Sequence, residues 1–290
     1  MKTILVTTDF SVPSENAAHY ALGMAKRIGA DLLLCNAIKI QMEAPIPFQG
    51  TMPLHDTLTQ KNEVDEQLNF LAESLRADVD NVKGAYLPLI ESFSQIGTLQ
   101  EVVKEIEINI QLSLIVMGVY SAPSIVKIFM GSKSQKILDT TATPIILVPF
   151  SLFSPEIKRI AFATDLSHGD ILRIQYLVEI AQLYNAELLI VNFEDEKAGS
   201  EELKQKTEQF INVVTKNNSY PNISFQDVKS SDLDSGLDWL SKYGSVDLMA
   251  MVHYRSKMLE RIFDPSHTRN LASHINIPLL VFPGIVVPPR

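Results

Sequence analysis

The sequence predicts an α/β protein made of two doubly wound, five-stranded parallel-sheet domains in tandem, over residues 1–150 and 157–284. Two observations carry this. Short apolar runs alternate with amphipathic stretches along the whole chain, and strand–helix alternation implies right-handed βαβ crossovers and a parallel sheet. The chain also repeats itself. Lys2–Ser11 (KTILVTTDFS) matches Lys158–Ser167 (KRIAFATDLS), and Ala30–Ala37 (ADLLLCNA) matches Ala186–Phe193 (AELLIVNF), both at an offset of 156. Ser113–Leu138 then matches Asp247–Ala272, and Thr143–Phe150 (TPIILVPF) matches Ile277–Gly284 (IPLLVFPG), at an offset of 134. The first copy is therefore 22 residues longer in its middle. A repeat of that length is a duplicated domain, not a solenoid unit.

Taken in order, Thr3–Thr7 is the first strand, and Ser11, Val12 and Pro13 form a helix start for a helix ending near Gly29. Asp31–Ala37 is the second strand. Lys39–Asp56, with Pro45, Pro47 and Pro53, reads as a long loop, a lid or a contact arm, absent from the second copy. A helix around Thr57–Arg76, a strand near Ala85–Ile90 and a helix from about Thr98 to Asn109 follow. Leu114–Met117 is short and apolar enough for a strand buried on both faces, and it stops at Gly118, where a glycine permits a sharp turn or a close approach to a ligand. A helical pattern over Ser132–Leu138 and a closing strand at Ile145–Val148 complete the copy. The joint at about Ser151–Glu156, between Pro149 and Pro155, is short enough to leave the copies adjacent.

Composition bounds the function. At 290 residues the chain can bury two cores. Met1–Asp9 is expected to be neither a signal peptide nor an anchor, and no apolar run approaches the roughly 18 residues of a membrane helix. The single cysteine, Cys35, lies inside a predicted strand, which leaves no disulfide framework or zinc cluster and fits a reducing cytoplasm. A formal charge of −9 opposes nucleic acid and anionic membranes as general partners.

Gly131 stands directly before Ser132 at the start of a helical pattern, so free N–H groups there could cradle a phosphate through the backbone and the helix dipole. The series Gly118, Val119, Tyr120, Ser121, nine residues, Gly131, Ser132 resembles the nucleotide loop of the universal stress protein family: Gly, two residues, Gly, nine residues, Gly, then Ser or Thr. The resemblance extends to the Thr-Asp-Phe-Ser strand end and the Pro-apolar closing strand, both present in duplicate, and covers nearly the whole chain. It departs at Ser121, which adds a Cβ where the family brings backbone close to phosphate.

The resemblance implies an adenine nucleotide alpha hydrolase-like fold with strand order 3-2-1-4-5 and a switch point between the first and fourth strands. It also implies ATP or a related adenine nucleotide, with magnesium, in the first domain only, at Thr8, Asp9, Ala37, Met117, Gly118, Ser121, Gly131, Ser132 and Lys133. There Asp9 meets the nucleoside and the backbone of Ala37 faces adenine. The last strands, Ile145–Val148 and Leu279–Phe282, are the seam expected to pair across a two-fold axis, with a homodimer as a further assembly. The implied role is a cytoplasmic, nucleotide-responsive stress module and not an enzyme, with slow ATP hydrolysis left open.

The residues themselves leave alternatives. Asp9 can accept from ribose or adenine, or cap the next helical turn, and Asp165 repeats it. Ser132 can serve phosphate or act as an N-cap, and the role of Lys133 stays open. In the second copy Val252, Arg255 and Pro265 replace Gly118, Ser121 and Gly131, which removes positive-φ freedom and a donor, so this copy is not expected to bind ATP in the family manner. His253, Arg255, Lys257, Arg261, His267 and Arg269, interleaved with Glu260 and Asp264, read as an anion or partner site or as a solvated charged face. No Walker pattern, Gly-x-Ser-x-Gly elbow or His-Glu-x-x-His is present. The competing reading is a nucleotide-free dimerising scaffold of the same fold; a third is an enzyme of the wider adenine-nucleotide alpha hydrolase type.

Overall fold

The computed structural model describes residues 2–39, 54–78, 86–120, 136–150, 155–194, 201–230, 236–237, 239–240, 243–253 and 277–284. Its central strands are β1 (Lys2–Thr7), β2 (Ala30–Ile38), β4 (Leu112–Val119), β5 (Ile145–Pro149), β6 (Arg159–Thr164), β7 (Glu187–Glu194), β9 (Leu248–His253) and β10 (Leu279–Pro283). Most are near-continuous apolar runs with no exposed alternate face, the pattern of parallel strands covered by helices on both sides. β3 (Ile90–Ile96) and β8 (Ile223–Lys229) are more polar and more exposed, and they form the two edges.

All ten strands form one sheet in the order β3-β2-β1-β4-β5-β10-β9-β6-β7-β8. Each set of five has the expected 3-2-1-4-5 order, and every pairing is parallel except β5 with β10. At that seam Leu147 faces Leu279, Ile146 faces Leu280 and Ile145 faces Val281. With the copies offset by 134, this register is its own image about Ile146 and Leu280, a local two-fold axis. The expected seam is therefore present within the chain.

Among the described residues the longer helices that cover the sheet are α1 (Val12–Ile28), α2 (Leu54–Ala77), α3 (Leu99–Asn109), α4 (Asp170–Tyr184) and α5 (Glu201–Asn217). One core layer packs α1, α2, α4 and α5 on a single face through residues such as Tyr20, Met24, Leu68, Ile174 and Phe210. The opposite layer is built from α3 with Ile137, Leu138, Leu237 and Leu240. Ser11 caps α1 in an extended conformation with proline in the first turn, as the sequence predicts, and Gly29 closes it at φ +68°, a left-handed conformation that glycine adopts without a Cβ penalty.

The two halves lock together across the axis. The Tyr176 hydroxyl on α4 donates to the Ser113 carbonyl at the start of β4, 3.0 Å away. Within the second half, the rings of Tyr176 and Phe162 meet Phe282 edge to face, which holds Tyr176 in place for that bond. Gly23 on α1 faces Pro155 so closely that a Cβ would lie 2.5 Å from its Cδ.

Three sequence expectations shift. The third strand lies at Ile90–Ile96, not Ala85–Ile90. Pro88 has no N–H for a ladder, and the stretch before β3 is tied instead to Asp31, which accepts from the Leu89 N–H at 2.9 Å and the Tyr86 hydroxyl at 2.6 Å. α2 begins at Leu54, inside the stretch read as loop; residues 40–53 lie outside the described residues. β4 does not stop at Met117 but continues through Gly118 to Val119, paired with Val148 and Pro149.

Candidate functional site

β1, β2 and β4 end side by side, with Thr7 opposite Cys35 and Met117. Beyond that point the Thr8 N–H donates to the Cys35 carbonyl at 2.8 Å and the Asn36 amide donates to the Thr8 carbonyl at 2.9 Å. Thr8, Asp9, Ala37, Met117 and Gly118 are thereby gathered at the carboxyl edge, at the switch point between β1 and β4, where such sheets open a crevice. Asp9 is exposed and Ala37 half-buried, so a small side chain and a carboxylate border the crevice mouth. Ser121, Gly131, Ser132 and Lys133 lie outside the described residues, as does the 254–276 part of the basic segment.

The turn after β1 is built from its own side chains. Phe10 sits at φ +58°, a left-handed conformation rare for a bulky residue. The Phe10 N–H donates to Thr8 Oγ1 at 3.0 Å, and the Ser11 hydroxyl donates to Asp9 Oδ1. The second half repeats this: Leu166 has φ +59°, its N–H donates to Thr164 Oγ1 at 2.9 Å, and the Ser167 N–H donates to Asp165 Oδ1 at 3.0 Å. A strained residue costs about 1–3 kcal/mol and persists only where its surroundings fix it. The Thr-Asp-x-Ser element therefore builds a turn in both halves, and the N-cap of α1 is Ser11, not Asp9.

Gly118 also has a structural reason. A Cβ there would lie 2.1 Å from the Pro13 carbonyl oxygen and 2.6 Å from the Ser14 nitrogen. The glycine lets the first turn of α1 press onto β4, rather than making the sharp turn expected of it. In the second half Val252 fills this position, buried at the end of β9, and α4 starts at Asp170, the counterpart of Ser14, two residues later than α1.

Asp170 is fully buried. It accepts from Thr164 Oγ1 at 2.5 Å and from Arg173 Nη1 at 2.8 Å, while Arg173 Nη2 donates to the Pro283 carbonyl at 3.3 Å. Burial raises the Asp170 carboxyl above its ordinary range, against the pull of Thr164 and Arg173. At the matching places the first half has the Thr8–Ser14 hydroxyl pair at 3.0 Å, Ala17 stands where Arg173 does, and the Asn16 amide donates to the Phe150 carbonyl just past β5.

Two further features escaped the sequence reading. Phe193 occupies the place of Ala37, its ring so close to Gly236 that a Cβ there would lie 2.4 Å away. The signal was present in the aligned repeats, as Ala37 against Phe193 with Val102 against Gly236. His253, read as part of a basic loop, is the last residue of β9, buried, with Nε2 2.9 Å from Asp139 Oδ1. Cys35 is buried as expected, and burial pushes its thiol up to about 12, leaving no thiolate for chemistry near neutral pH.

Among the described residues, no group of three or more His, Cys, Asp or Glu is placed to hold a metal ion, and no helix is long and apolar enough to cross a membrane. An open cleft of about 660 Å³ between α1 and α2 is bordered by Glu15, Glu63, Glu66 and Phe70, carboxylates that would repel an anionic ligand.

Residues 1–149 match the family model of the Universal stress protein family. The Thermus aquaticus "Universal stress protein in QAH/OAS sulfhydrylase 3'region" is 29% identical over 148 residues, which is 51% of this chain and 98% of that protein. The crystal structure of a universal stress protein from Archaeoglobus fulgidus DSM 4304 aligns with a TM-score of 0.65 at 18% identity, covering 97% of this chain and 95% of that one. A functionally unknown protein from Pseudomonas aeruginosa PAO1 aligns at 0.55 with 14% identity, covering 97% and 92%. At these identities the solved structures establish the fold.

Proposed function

Because the chain belongs to the universal stress protein family, we propose that it is a stress-response module of the cytoplasm whose N-terminal half takes an adenine nucleotide and whose C-terminal half serves assembly. The halves, 1–150 and 157–284, are read as duplicated domains, a reading supported by the shared strand order and the self-symmetric seam. The observation that carries the nucleotide reading is the contrast at the switch point. Around β1, β2 and β4 the residues are Asp9, Ala37 and Gly118; around β6, β7 and β9 they are Asp165, Phe193 and Val252. Ala37 leaves at the end of β2 the space that the Phe193 ring takes at the end of β7, while at Gly118 the first turn of α1 takes the place of a side chain.

The residues present fit the nucleotide: the half-buried Ala37 leaves room for a base, and Asp9 stands exposed at the crevice mouth to meet hydroxyl or amine donors. ATP would supply phosphates for the backbone around Gly131, Ser132 and Lys133, with magnesium across their oxygens. Binding, not turnover, is the proposed activity. Because β5 and β10 each have strand neighbours on both sides, a homodimer would have to use another surface.

A second reading, the nucleotide-free scaffold, draws on a specific observation: the Thr-Asp-x-Ser turn and Gly118 both have structural roles that need no ligand. Calorimetric titration with ATP and magnesium separates the two. Saturable binding at one site per chain, lost in Gly131→Val, is the expected result, with a stabilisation of about 2.7 kcal/mol at a hundredfold excess over Kd. No heat and no melting shift at millimolar ATP would leave the scaffold.

A further inference from the structure

The two-fold relation between the halves is broken at one hydroxyl. Tyr20 on α1 and Tyr176 on α4 occupy the same place in the repeat, at the offset of 156. Tyr176 donates across the axis to the Ser113 carbonyl at 3.0 Å. The counterpart of Ser113, at the offset of 134, is Asp247. Yet the hydroxyl of Tyr20, a residue only 1% exposed, is enclosed with no hydrogen-bond partner among the described residues. Native structures meet a buried hydroxyl with protein or with ordered water, because leaving it unmet forfeits the bonds it makes in the unfolded chain.

A second enclosed hydroxyl belongs to the same seam. That of Tyr184, the last residue of α4, is also shut from solvent with no partner among the described residues. Arg27, two turns after Tyr20 on α1, sets its guanidinium 5.4 Å from the centroid of the Tyr184 ring, so the end of α4 lies against α1. Burial foremost, then the neighbouring Tyr184 and Asp247, hold Tyr20 protonated far above the ordinary tyrosine range. Burial raises Tyr184 as well, against the pull of Arg27. In the first half Ile28 stands where Tyr184 does, each just before the left-handed residue that closes its helix, Gly29 or Asn185. The repeat therefore brings a second hydroxyl to Tyr20 and none to Tyr176.

We propose that Tyr20 and Tyr184 bind an ordered water molecule in the seam between the halves, which ties α1 to the second half as Tyr176 ties α4 to the first. Water fits because two neutral phenols can each donate and accept, and a buried water gathers groups that are otherwise unsatisfied. An anion would be repelled by Asp247, and a cation would find there only a carboxylate already accepting from the Lys158 and Arg159 N–H groups.

Two measurements test this. In a high-resolution crystal structure, one ordered water is expected within about 2.7–3.0 Å of both hydroxyls. Direct contact of Tyr20 with Tyr184 or with the Asp247 carbonyl, or no water at the two hydroxyls, overturns the proposal. In solution, urea unfolding compares Tyr20→Phe, Tyr184→Phe and the double variant, all of which keep the packed rings. Either single leaves the water and the other hydroxyl short of a partner, and is expected to raise the unfolding equilibrium constant about five- to thirtyfold. The double variant makes the site apolar and is expected to be no less stable than either single. Singles within about twofold of the original protein, or a double less stable than both singles, overturn the shared water.

Discussion

Replacing Asp170 by serine and Arg173 by alanine would install in the second half the residues that the first half carries at the same places, Ser14 and Ala17. The singles and the double are expected to behave very differently. In Asp170→Ser the new hydroxyl can still meet Thr164, as Ser14 meets Thr8 at 3.0 Å, but Arg173 is left buried with its carboxylate gone. Breaking a buried ion pair by removing one partner costs about 3–5 kcal/mol, a large share of the roughly 5–15 kcal/mol that holds a domain folded. Arg173→Ala leaves the opposite charge buried and removes the donor to the Pro283 carbonyl, with a cost of similar size. The double variant removes both charges, so what remains is the lost donor and the space vacated by the arginine, about 1–3 kcal/mol in all. The coupling between the two sites is then about 3 kcal/mol or more. Urea unfolding followed by circular dichroism, with Trp239, the chain's one tryptophan, as a second probe, gives all four stabilities. Refutation would take either of two results: Asp170→Ser costing less than about 1 kcal/mol, or the double variant costing the sum of the singles.

Gly118→Ala is expected to destabilise the protein by about 1–3 kcal/mol, because the new methyl group meets the Pro13 carbonyl 2.1 Å away and forces the first turn of α1 off β4. Hydrogen exchange should show faster exchange in the first turn of α1 and little change in β8; uniform protection would contradict it. Glu187 gives a pH dependence: the Ser224 hydroxyl at 2.6 Å and the Arg159 guanidinium at 2.7 Å hold its carboxyl below the ordinary glutamate range. A depressed folded-state value means that its stabilisation is complete above about pH 4.3 and is lost as pH falls through the folded value. Melting temperature followed from pH 6 to pH 3 should therefore fall less steeply in Glu187→Gln than in the unchanged protein, and identical slopes would show that the carboxyl is not perturbed.

What the sequence revealed and what it hid follow the range of the interactions. The alternation of strands and helices, the duplication and the start of α1 are written in local pattern: apolar runs, a serine followed by proline, and a repeat that aligns one half with the other, whereas the strand order and the seam rest on the family resemblance. The third strand was misplaced because Leu87 and Leu89 look like strand residues, yet both are exposed, while Pro88 and the side chain of Asp31 hold that stretch outside the ladder. Gly118 was legible as a glycine with a purpose, but its purpose lies over a hundred residues earlier in the chain, at Pro13. Asp170 and Arg173 stand three apart in a stretch that reads as an ordinary helix start with surface charges, and only the fold shows them buried. His253 was grouped with its basic neighbours in sequence, whereas its partner, Asp139, belongs to the other half.

Duplication leaves an internal comparison, and three of the differences at the switch point run in one direction. Ala37 becomes Phe193, Gly118 becomes Val252, and the hydroxyl of Ser14 becomes the carboxylate of Asp170 with a guanidinium to balance it. Each change adds volume or internal pairing at the sheet end where a ligand would enter. In the second half the packed phenyl ring and the satisfied ion pair are contacts of the protein with itself, at the place where the proposed site of the first half would contact its ligand. The Thr-Asp-x-Ser turn, by contrast, is kept in both halves with the same strained residue and the same hydrogen bonds. What both halves retain is what the fold requires; the small residue at 37, which only the first half retains, is the one the proposed adenine site would need.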